Sequence, residues 1–359
     1  MPYTIPIGPY HPALEEPYKL SVTCKGEIIE KADIEIGFSF RSIELLAQRR
    51  NYIQDLTLVE RVCGICSSVH TATLAMAAEK LAGIEVPARG RYIRTIMLEL
   101  ERLHSHLLWA GIGAEVLGYQ TVFMEAFNLR ERVMDLLERV SGNRVHYAAN
   151  AIGGVNFDLT EPDVVLGVVR EIKDKLANVI VPAFMESITL KGRVTEVGPL
   201  SKEDALAYGA VGPLARASGL ATDIRQDRPY AAYQELGFKI VTAEGGDVKA
   251  RIVVRAMEML ESVRLIEAAL ENLPTGPVRI ADHFPVIPAG EVVMNSEAPR
   301  GELFYHLVSD GSDIPQRLKI RTPSYVNIPA IQAMVHGQHL ADLPIIQASA
   351  DPCCSCTDR

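Results

Sequence analysis

The sequence lacks the segments that mark secretion, membrane insertion and nucleic-acid binding. Its first residues, MPYTIPIGPYHP, contain no basic stretch followed by an apolar core, so we expect no signal peptide. No window approaches the roughly 18 uninterrupted apolar residues of a membrane span; the best candidate, 103–119, contains His104, His106 and Glu115. The formal net charge of −9, without a dense cluster of Lys and Arg, argues against a general nucleic-acid binder. We therefore expect a soluble chain that reaches a membrane only through partner proteins.

The chain also lacks internal repeats and low-complexity linkers, so its organisation has to be inferred from periodicity. Its 359 residues, 48% of them hydrophobic, are enough for one large domain or two modest ones. We predict one domain over 1–359, of a mainly α class with β-rich ends (α+β). Its predicted parts are a β-rich part over 1–40, a long-helix bundle core over 41–273 and a β-rich or irregular part over 274–359.

Apolar periodicity predicts strands near both ends and helices between them. Residues 18–24 and 28–36 are rich in Val, Ile and Thr, and Lys25-Gly26-Glu27 between them suits a hairpin turn. Short β-like runs follow at 302–307 and 317–320. The predicted helices are 71–81, 91 to about 113, 121–141, from Thr160 toward Pro182, and 247–273.

Cysteine is scarce, and its placement is the most informative feature of the sequence. Six cysteines in a long chain without a secretory signal indicate a reducing compartment, not a disulfide scaffold. Four of them form two Cys-x-x-Cys pairs, Cys63 with Cys66 and Cys353 with Cys356, and such a turn directs both sulfurs toward one soft metal ion. Most of the chain separates the pairs, whereas the pairs of a structural zinc site lie about 12–20 residues apart. The two ends are therefore predicted to converge on a metal site, with structural zinc as the less favoured alternative.

The residues around both pairs resemble the signatures of the nickel–iron hydrogenase large subunits. The first is Arg61-Val62-Cys63-Gly64-Ile65-Cys66 followed by His70, and the second is Asp351-Pro352-Cys353-x-x-Cys356. The short chain and the region around Glu44 are most similar to the energy-converting, membrane-associated branch, which is related to the quinone-site subunit of respiratory complex I. Further stretches that carry the resemblance are 40–44, 153–155, 298–301 and 322–324.

This resemblance implies a Ni–Fe centre and an activity. Cys63 and Cys353 match the terminal ligands of nickel, and Cys66 and Cys356 match the ligands that bridge nickel to an iron carrying carbon monoxide (CO) and cyanide (CN). Soft thiolates suit nickel, and strong-field diatomic ligands keep the iron low-spin. CO and CN cannot come from amino acids, so maturation proteins are implied as partners. The implied reaction is reversible heterolysis of H₂ into protons and electrons.

The resemblance also implies roles for charged residues near the metals. Glu44, on a predicted helix, matches the family's first proton carrier, a role for which burial should raise its pKa; a solvated helix residue is the alternative. Arg300 matches an arginine over the open metal position, with Asp351 as its expected partner. There a guanidinium polarises H₂ or acts as a base, and a structural ion pair is the alternative.

Two further positions carry weaker expectations. His70 lies one helical turn after Cys66, so its imidazole can reach a cysteine sulfur, although a core histidine remains an equal alternative. Pro323 and Ser324 resemble a family loop that donates a hydrogen bond to a cyanide, and a simple turn serine is the alternative. Many relatives bind a third metal, Mg or Fe, through a histidine at the place that Arg359 occupies here. Arginine is no metal ligand, so the third metal site is in doubt.

The remaining cysteines determine which partners are needed. Cys24 and Cys354 are expected to be buried bystanders, and two thiols are too few for an iron–sulfur cluster. The family resemblance therefore implies a small subunit carrying an iron–sulfur cluster, a ferredoxin-type electron carrier and integral membrane subunits for ion translocation. We expect a cytoplasmic protein, peripheral on the cytoplasmic face of the membrane. A complex I-like quinone-site subunit is the main alternative, but it lacks nickel cysteines, and its quinone-contacting histidine is Phe40 here.

Overall fold

The N-terminal part forms an antiparallel sheet in the order β1-β2-β3, with β1 at Tyr3–Ile7, β2 at Lys19–Lys25 and β3 at Ile28–Glu35. The computed structural model describes residues 1–281 and 284–359. Leu20, Val22 and Cys24 alternate toward the core, as the apolar pattern predicted. Gly26 turns the chain between β2 and β3 with a φ of 63°.

A run of helices follows and is interrupted by a small hairpin. The hairpin pairs β4 (Asn150–Ala151) with β5 (Gly154–Val155), and a π-helical turn at Leu176–Ile180 joins two of the helices. The helices are α1 (Ile43–Ala47), α2 (Tyr52–Glu60), α3 (Ser67–Ala82), α4 (Ala88–Val116), α5 (Gln120–Ser141), α6 (Pro162–Lys175), α7 (Val181–Met185), α8 (Ile188–Val194), α9 (Lys202–Ala207), α10 (Gly212–Ala217), α11 (Ile224–Asp227) and α12 (Val248–Glu271).

Helices α3, α4 and α12 build the centre of the protein. The alanine-rich α3 is buried over 67–79 on all its faces, because it lies between α2, α4 and the C-terminal strands. Helix α4 packs against α5 along one side and α12 along another, which explains why its apolar residues do not keep to one stripe. The predicted long helices are present at these positions.

The C-terminal part begins with an antiparallel sheet of β6 (Gly290–Ala298), β7 (Gly301–Ser309) and β8 (Arg317–Arg321), with β7 in the middle. Then follow α13 (Pro323–Val335), a 3₁₀ turn (Leu340–Asp342), α14 (Leu343–Ala350) and α15 (Cys354–Thr357). The predicted β-like runs lie within β7 and β8. The prediction of a β-rich or irregular chain is wrong for most of 323–350, because α13 and α14 are apolar on several faces and show no helical period.

The fold is thus a mixed α and β arrangement with the helices at its centre. One continuous cluster of buried apolar side chains extends from Ile7 in β1 to Cys356 in α15. The organisation as one domain stays a prediction. Among the described residues, 1–281 and 284–359, no helix has the length and apolar character that a membrane crossing requires.

Candidate metal centre

The two Cys-x-x-Cys pairs meet in the interior, although they lie at opposite ends of the chain. Cys63 and Cys66 form the turn between α2 and α3, and Cys353 and Cys356 follow α14. The Sγ atoms of Cys63 and Cys353 lie 3.6 Å apart, and those of Cys66 and Cys356 lie 3.4 Å apart. The ligand atoms of Cys63, Cys66 and Cys356 all lie within 4.8 Å of one another. The two close pairs of sulfurs are the same pairs that the resemblance predicts: Cys63 with Cys353 as terminal ligands, and Cys66 with Cys356 as bridging ligands.

This set of sulfurs fits a soft metal cation. Each of the four cysteines is at most 3% exposed, and all are free thiols. Hydrogen bonds with the other three clustered cysteines, Cys353 first, lower the pKa of Cys63 well below its ordinary value, and the charge of Arg300 acts in the same direction. Hydrogen bonding with the same sulfurs and burial raise the pKa of Cys356 well above its ordinary value. Thiolates packed this closely repel one another, and a bound cation would supply the charge that holds them together.

Arg41 ties the two cysteine loops together. Its guanidinium donates to the carbonyl oxygens of Arg61 at 2.6 Å and Val62 at 3.0 Å, directly before Cys63. It also donates to the Ser355 carbonyl at 2.6 Å, inside the second pair. One side chain thus joins backbone from both ends of the protein. The sequence analysis missed this role, although Arg41 lies in the stretch 40–44 that carries the resemblance.

The first turn of α13 supports the second cysteine loop. The Ser324 hydroxyl accepts a hydrogen bond from the Cys353 N–H at 3.0 Å, and the Thr322 hydroxyl donates to the Cys356 carbonyl at 3.0 Å. Pro323 occupies the first turn of α13 and fixes the backbone between them. Ser324 is thus placed beside a ligand. Its donation to a cyanide stays a prediction.

Arg300 lies against the cysteine cluster and pairs with Asp351, as the family resemblance led us to expect. Its Nη2 donates to Asp351 Oδ1 at 2.6 Å and its Nε to the Asp351 carbonyl at 2.9 Å, while Nη1 donates to Ser105 Oγ at 3.3 Å. Burial opposes the charge, but Asp351 and the cysteine sulfurs outweigh it and hold the pKa of Arg300 well above its ordinary value. Arg300 therefore stays a cation, which favours an electrostatic role over that of a base.

Close backbone contact positions the turn that carries Arg300. At Gly212, where α10 begins with a φ of 68°, a Cβ atom would lie 2.4 Å from both the Arg300 carbonyl oxygen and Gly301 Cα. Only glycine fits there. From α4, the buried Arg102 donates to the Glu297 carbonyl at 2.6 Å, just ahead of the turn. Arg300 is therefore held by backbone packing as well as by its ion pair.

His70 is buried on α3 between a hydroxyl and a sulfur. Its Nδ1 lies 2.8 Å from the Tyr305 hydroxyl oxygen, and its Nε2 lies 3.8 Å from Cys356 Sγ. Burial lowers the pKa of His70 to about 4, so the imidazole is neutral at neutral pH. His70 thus reaches a cysteine sulfur, and that sulfur belongs to the distant Cys356.

Glu44 lies on α1, as predicted, but within a group of cations. Its Oε1 accepts hydrogen bonds from Arg359 Nε and the Ile320 N–H, both at 3.1 Å, and its Oε2 accepts from Lys319 Nζ at 3.1 Å. Burial raises the pKa of Glu44, but the Ile320 and Lys319 hydrogen bonds outweigh it and leave the pKa lowered. The expectation of a raised pKa is therefore wrong, and a carboxylate held ionised is a poor proton carrier.

Arg359 supplies positive charge beside Glu44, at the position for which the resemblance implies a third-metal ligand. Besides its bond to Glu44, its guanidinium donates to the Thr357 carbonyl at 2.8 Å and lies 5.3 Å from the centre of the Tyr325 ring. Within 1–281 and 284–359, metal-ligand atoms of His, Cys, Asp or Glu gather in threes only at the cysteines. Whether a third metal binds stays a prediction.

We predict that protonation of Glu44 destabilises the protein on the acid side. Because the folded pKa is lowered, the stabilisation is complete above the unfolded pKa and is lost as pH falls through the folded value. Glu44→Gln should lower the free energy of unfolding by about 1 kcal/mol at neutral pH and flatten its acid-side fall. Denaturant unfolding at a series of pH values measures both effects. Equal pH slopes in the variant and the wild type would contradict this prediction.

Glu16 contacts the second cysteine loop directly, and the sequence analysis missed it. Its Oε2 accepts hydrogen bonds from the backbone N–H groups of Cys354 at 2.5 Å and Ser355 at 3.2 Å. Burial raises the pKa of Glu16, against the charge of Arg300 and these two hydrogen bonds. No local pattern marks this residue, because Glu15 and Glu16 stand in the irregular loop between β1 and β2, where glutamates normally face solvent.

Three further buried residues, Cys24, His104 and His106, are of types that can bind metals. Cys24 is buried in β2, away from the four clustered sulfurs. His104 Nε2 lies 2.6 Å from Arg130 Nη2, and His106 Nε2 lies 2.9 Å from Glu258 Oε2. Both histidines are thus core residues bonded to their neighbours.

Two family profiles match the chain. Residues 116–286 and 280–359 match the respiratory-chain NADH dehydrogenase 49 Kd subunit, and residues 41–110 match the nickel-dependent hydrogenases. The chain is 43% identical to the carbon monoxide-induced hydrogenase of Rhodospirillum rubrum, with 99% of each chain covered. It is 42% identical to the membrane-bound hydrogenase subunit alpha of Pyrococcus furiosus, covering 99% of this chain and 87% of that one.

A solved structure shows the same fold. It is that of the membrane-bound sulfane sulfur reductase, an archaeal respiratory membrane complex, with a TM-score of 0.94 and 33% identity over 99% of this chain and 98% of that one. The chain belongs to the nickel–iron hydrogenase large subunits, in the energy-converting, membrane-associated branch related to the complex I quinone-site subunit. It is an oxidoreductase subunit that acts on H₂, which confirms the function predicted from the sequence.

Proposed function

We propose that this chain performs reversible H₂ heterolysis at a Ni–Fe centre held by its four clustered cysteines. All four sulfurs would hold the metals, with Cys63 and Cys353 matching the terminal ligands and Cys66 and Cys356 the bridging ligands that the resemblance implies. When bound, the metals, with CO and CN on the iron, supply the chemistry that splits H₂. The observation that carries this proposal is the convergence of four buried sulfurs from both ends of the chain.

The residues around the sulfurs supply charge and hydrogen bonds. Arg300, held as a cation beside the cysteines, stabilises negative charge that develops as H₂ is polarised. Asp351 keeps that guanidinium in place through two hydrogen bonds. The Ser324 hydroxyl already accepts from the Cys353 N–H, so its own proton is free for donation to a cyanide.

We place the first proton acceptor at Glu16. Its carboxylate is bonded to the backbone of the loop that carries Cys353 and Cys356, and it is half-buried, so it lies between the cysteine loop and the solvent to which protons must pass. Glu44, the acceptor expected from the sequence, is less well suited because its carboxylate is already bonded to Lys319 and Arg359. These contacts support a proton path through Glu16 in the loop between β1 and β2.

Electron transfer requires partners. Besides the four clustered cysteines, only Cys24 and Cys354 remain, whereas an iron–sulfur cluster usually takes about four cysteine ligands. We therefore infer a small subunit that carries such a cluster, a ferredoxin-type carrier beyond it, and maturation proteins that deliver CO and CN. The relatives named as membrane-bound complexes support integral membrane subunits. We propose that this chain is peripheral, on the cytoplasmic face.

Metal analysis and infrared spectroscopy test the proposal. We expect the purified complex to contain nickel, to contain iron in excess of nickel because the small subunit adds the iron of its cluster, and to show stretching bands of CO and CN bound to iron. Zinc without nickel would support a structural-zinc scaffold. Bound quinone without nickel or these bands would support the complex I-like alternative.

A further inference from the structure

Tyr305 takes no part in the proposed function, yet it contacts one of the residues beside the metal ligands. It lies in the middle of β7, where it pairs with Met294 on β6 and Ile320 on β8. Its side chain faces the core on the same side as Leu303 and Leu307, and it is 0% exposed. Because β7 is bonded along both edges, the Tyr305 hydroxyl is held in a fixed position.

Helix α3 is fixed against the same sheet, and this sets the place of His70. One turn after His70, Thr73 Oγ1 lies 2.5 Å from Ser296 Oγ on β6. The imidazole is thereby held with Nδ1 2.8 Å from the Tyr305 hydroxyl and Nε2 3.8 Å from Cys356 Sγ. The two ring centres are 6.0 Å apart and their planes are tilted by 57°, so the hydroxyl makes the contact and the rings do not stack.

The hydrogen-bonding capacity of these groups selects one tautomer of His70. A neutral imidazole has one N–H and one lone pair. Among the described residues, His70 Nδ1 is the only hydrogen-bond partner found for the Tyr305 hydroxyl. If Nδ1 carried the proton, the buried Tyr305 O–H would have no acceptor, which is costly. When Tyr305 donates to Nδ1 instead, the proton lies on Nε2 and is directed at the Cys356 sulfur.

We propose that Tyr305 is a positioning residue for the metal centre. By donating to Nδ1, it fixes His70 as the Nε2–H tautomer, and His70 then donates to the sulfur of Cys356. This hydrogen bond withdraws electron density from a bridging thiolate and so tunes the metals it holds. The effect on the metals rests on the proposed function, because it requires a metal centre at Cys356. The tautomer of His70 does not, because it follows from the contacts of this chain alone.

The tautomer can be measured directly in the intact enzyme complex. In ¹⁵N-histidine-labelled protein, NMR distinguishes a protonated from an unprotonated ring nitrogen, and the signal of His70 is the one absent from His70→Gln. We expect Nε2–H in the wild type. Finding Nδ1–H would overturn the proposal without the need for any Tyr305 variant.

The variant Tyr305→Phe tests the effect on the metals, with Tyr233→Phe as its matched control. Tyr233 is also 0% exposed, and its hydroxyl donates to Glu99 at 2.6 Å in a separate buried cluster. Tyr305→Phe should keep its metals, shift the CO band to lower frequency and reduce H₂ turnover about fivefold. Tyr233→Phe should leave the band unchanged.

An unshifted CO band in Tyr305→Phe, with His70 still wholly Nε2–H, would overturn the role of Tyr305. A band that shifts equally in Tyr233→Phe would overturn it as well, because the effect would then be a general loss of packing. If the wild type showed no CO band at all, the proposed function would fail instead. The tautomer of His70 in the wild type and in Tyr305→Phe would then decide the claim about Tyr305.

Discussion

The variant Cys356→Ser is expected to lose nickel and the iron of the Ni–Fe centre and to reduce H₂ turnover by at least three orders of magnitude, about 4 kcal/mol in the activation barrier. A serine hydroxyl is protonated at neutral pH and is a hard ligand, so it cannot replace a soft thiolate. Cys356 Sγ lies 3.4 Å from Cys66 Sγ and 3.8 Å from His70 Nε2, so the substitution removes both contacts. Metal content of the purified complex and H₂ production with a chemical reductant measure the outcome.

The variant Cys354→Ser provides the control, because it makes the same substitution two positions before Cys356. The Cys354 thiol lies outside the cluster, and burial beside Glu16 raises its pKa above the ordinary value. Cys354→Ser should therefore keep nickel, iron and nearly all turnover. If Cys354→Ser lost its metals as completely as Cys356→Ser, the assignment of the ligands would be wrong.

The variant Glu16→Gln is expected to keep both metals and to slow H₂ turnover about 10²- to 10⁴-fold, the usual contribution of a proton-transferring side chain. An amide oxygen still accepts the hydrogen bonds from the Cys354 and Ser355 N–H groups, so the loop keeps its place. The amide cannot take up and release a proton at neutral pH. Turnover per bound nickel, measured beside the infrared bands, separates lost proton transfer from lost metal.

Glu44→Gln provides the comparison for proton transfer. It removes a carboxylate that is bonded to Lys319 and Arg359, so we expect it to affect stability more than turnover. If Glu44→Gln stopped turnover with the metals retained, while Glu16→Gln did not, the role expected from the sequence would be right and the path through Glu16 wrong.

The four cysteine ligands and Arg300 could be predicted, because short stretches of sequence around them carry the resemblance to the family. Two cysteine pairs with distinctive neighbours pointed to one site, and the same stretches pointed to the pairing of Arg300 with Asp351. Arg41, Glu16 and Tyr305 could not be found in this way. Each acts through contacts with a distant part of the chain, and periodicity carries no information about which loops meet.

The fold was predictable where one face of an element is apolar and the other polar. Strand β2 and helices α5 and α6 show such patterns. Helix α13 also has apolar residues on its exposed face, among them Tyr325, and α14 is buried along almost its whole length, so neither shows the helical period. Ser42, directly before α1, has a backbone conformation that the sequence did not indicate. Its φ of 59° lies in the left-handed region that glycine adopts without strain.

The contact of Arg41 with both cysteine loops has a consequence for the order of assembly. During synthesis the first pair leaves the ribosome long before the second, because most of the chain lies between them. A pocket of four sulfurs therefore cannot exist until the second loop has been made and has docked. Proteins that deliver the metals must act before Arg41 reaches the Ser355 carbonyl, or must reopen that contact. Once Arg41 and Glu16 hold the second cysteine loop, opening the pocket of four sulfurs requires these hydrogen bonds to break.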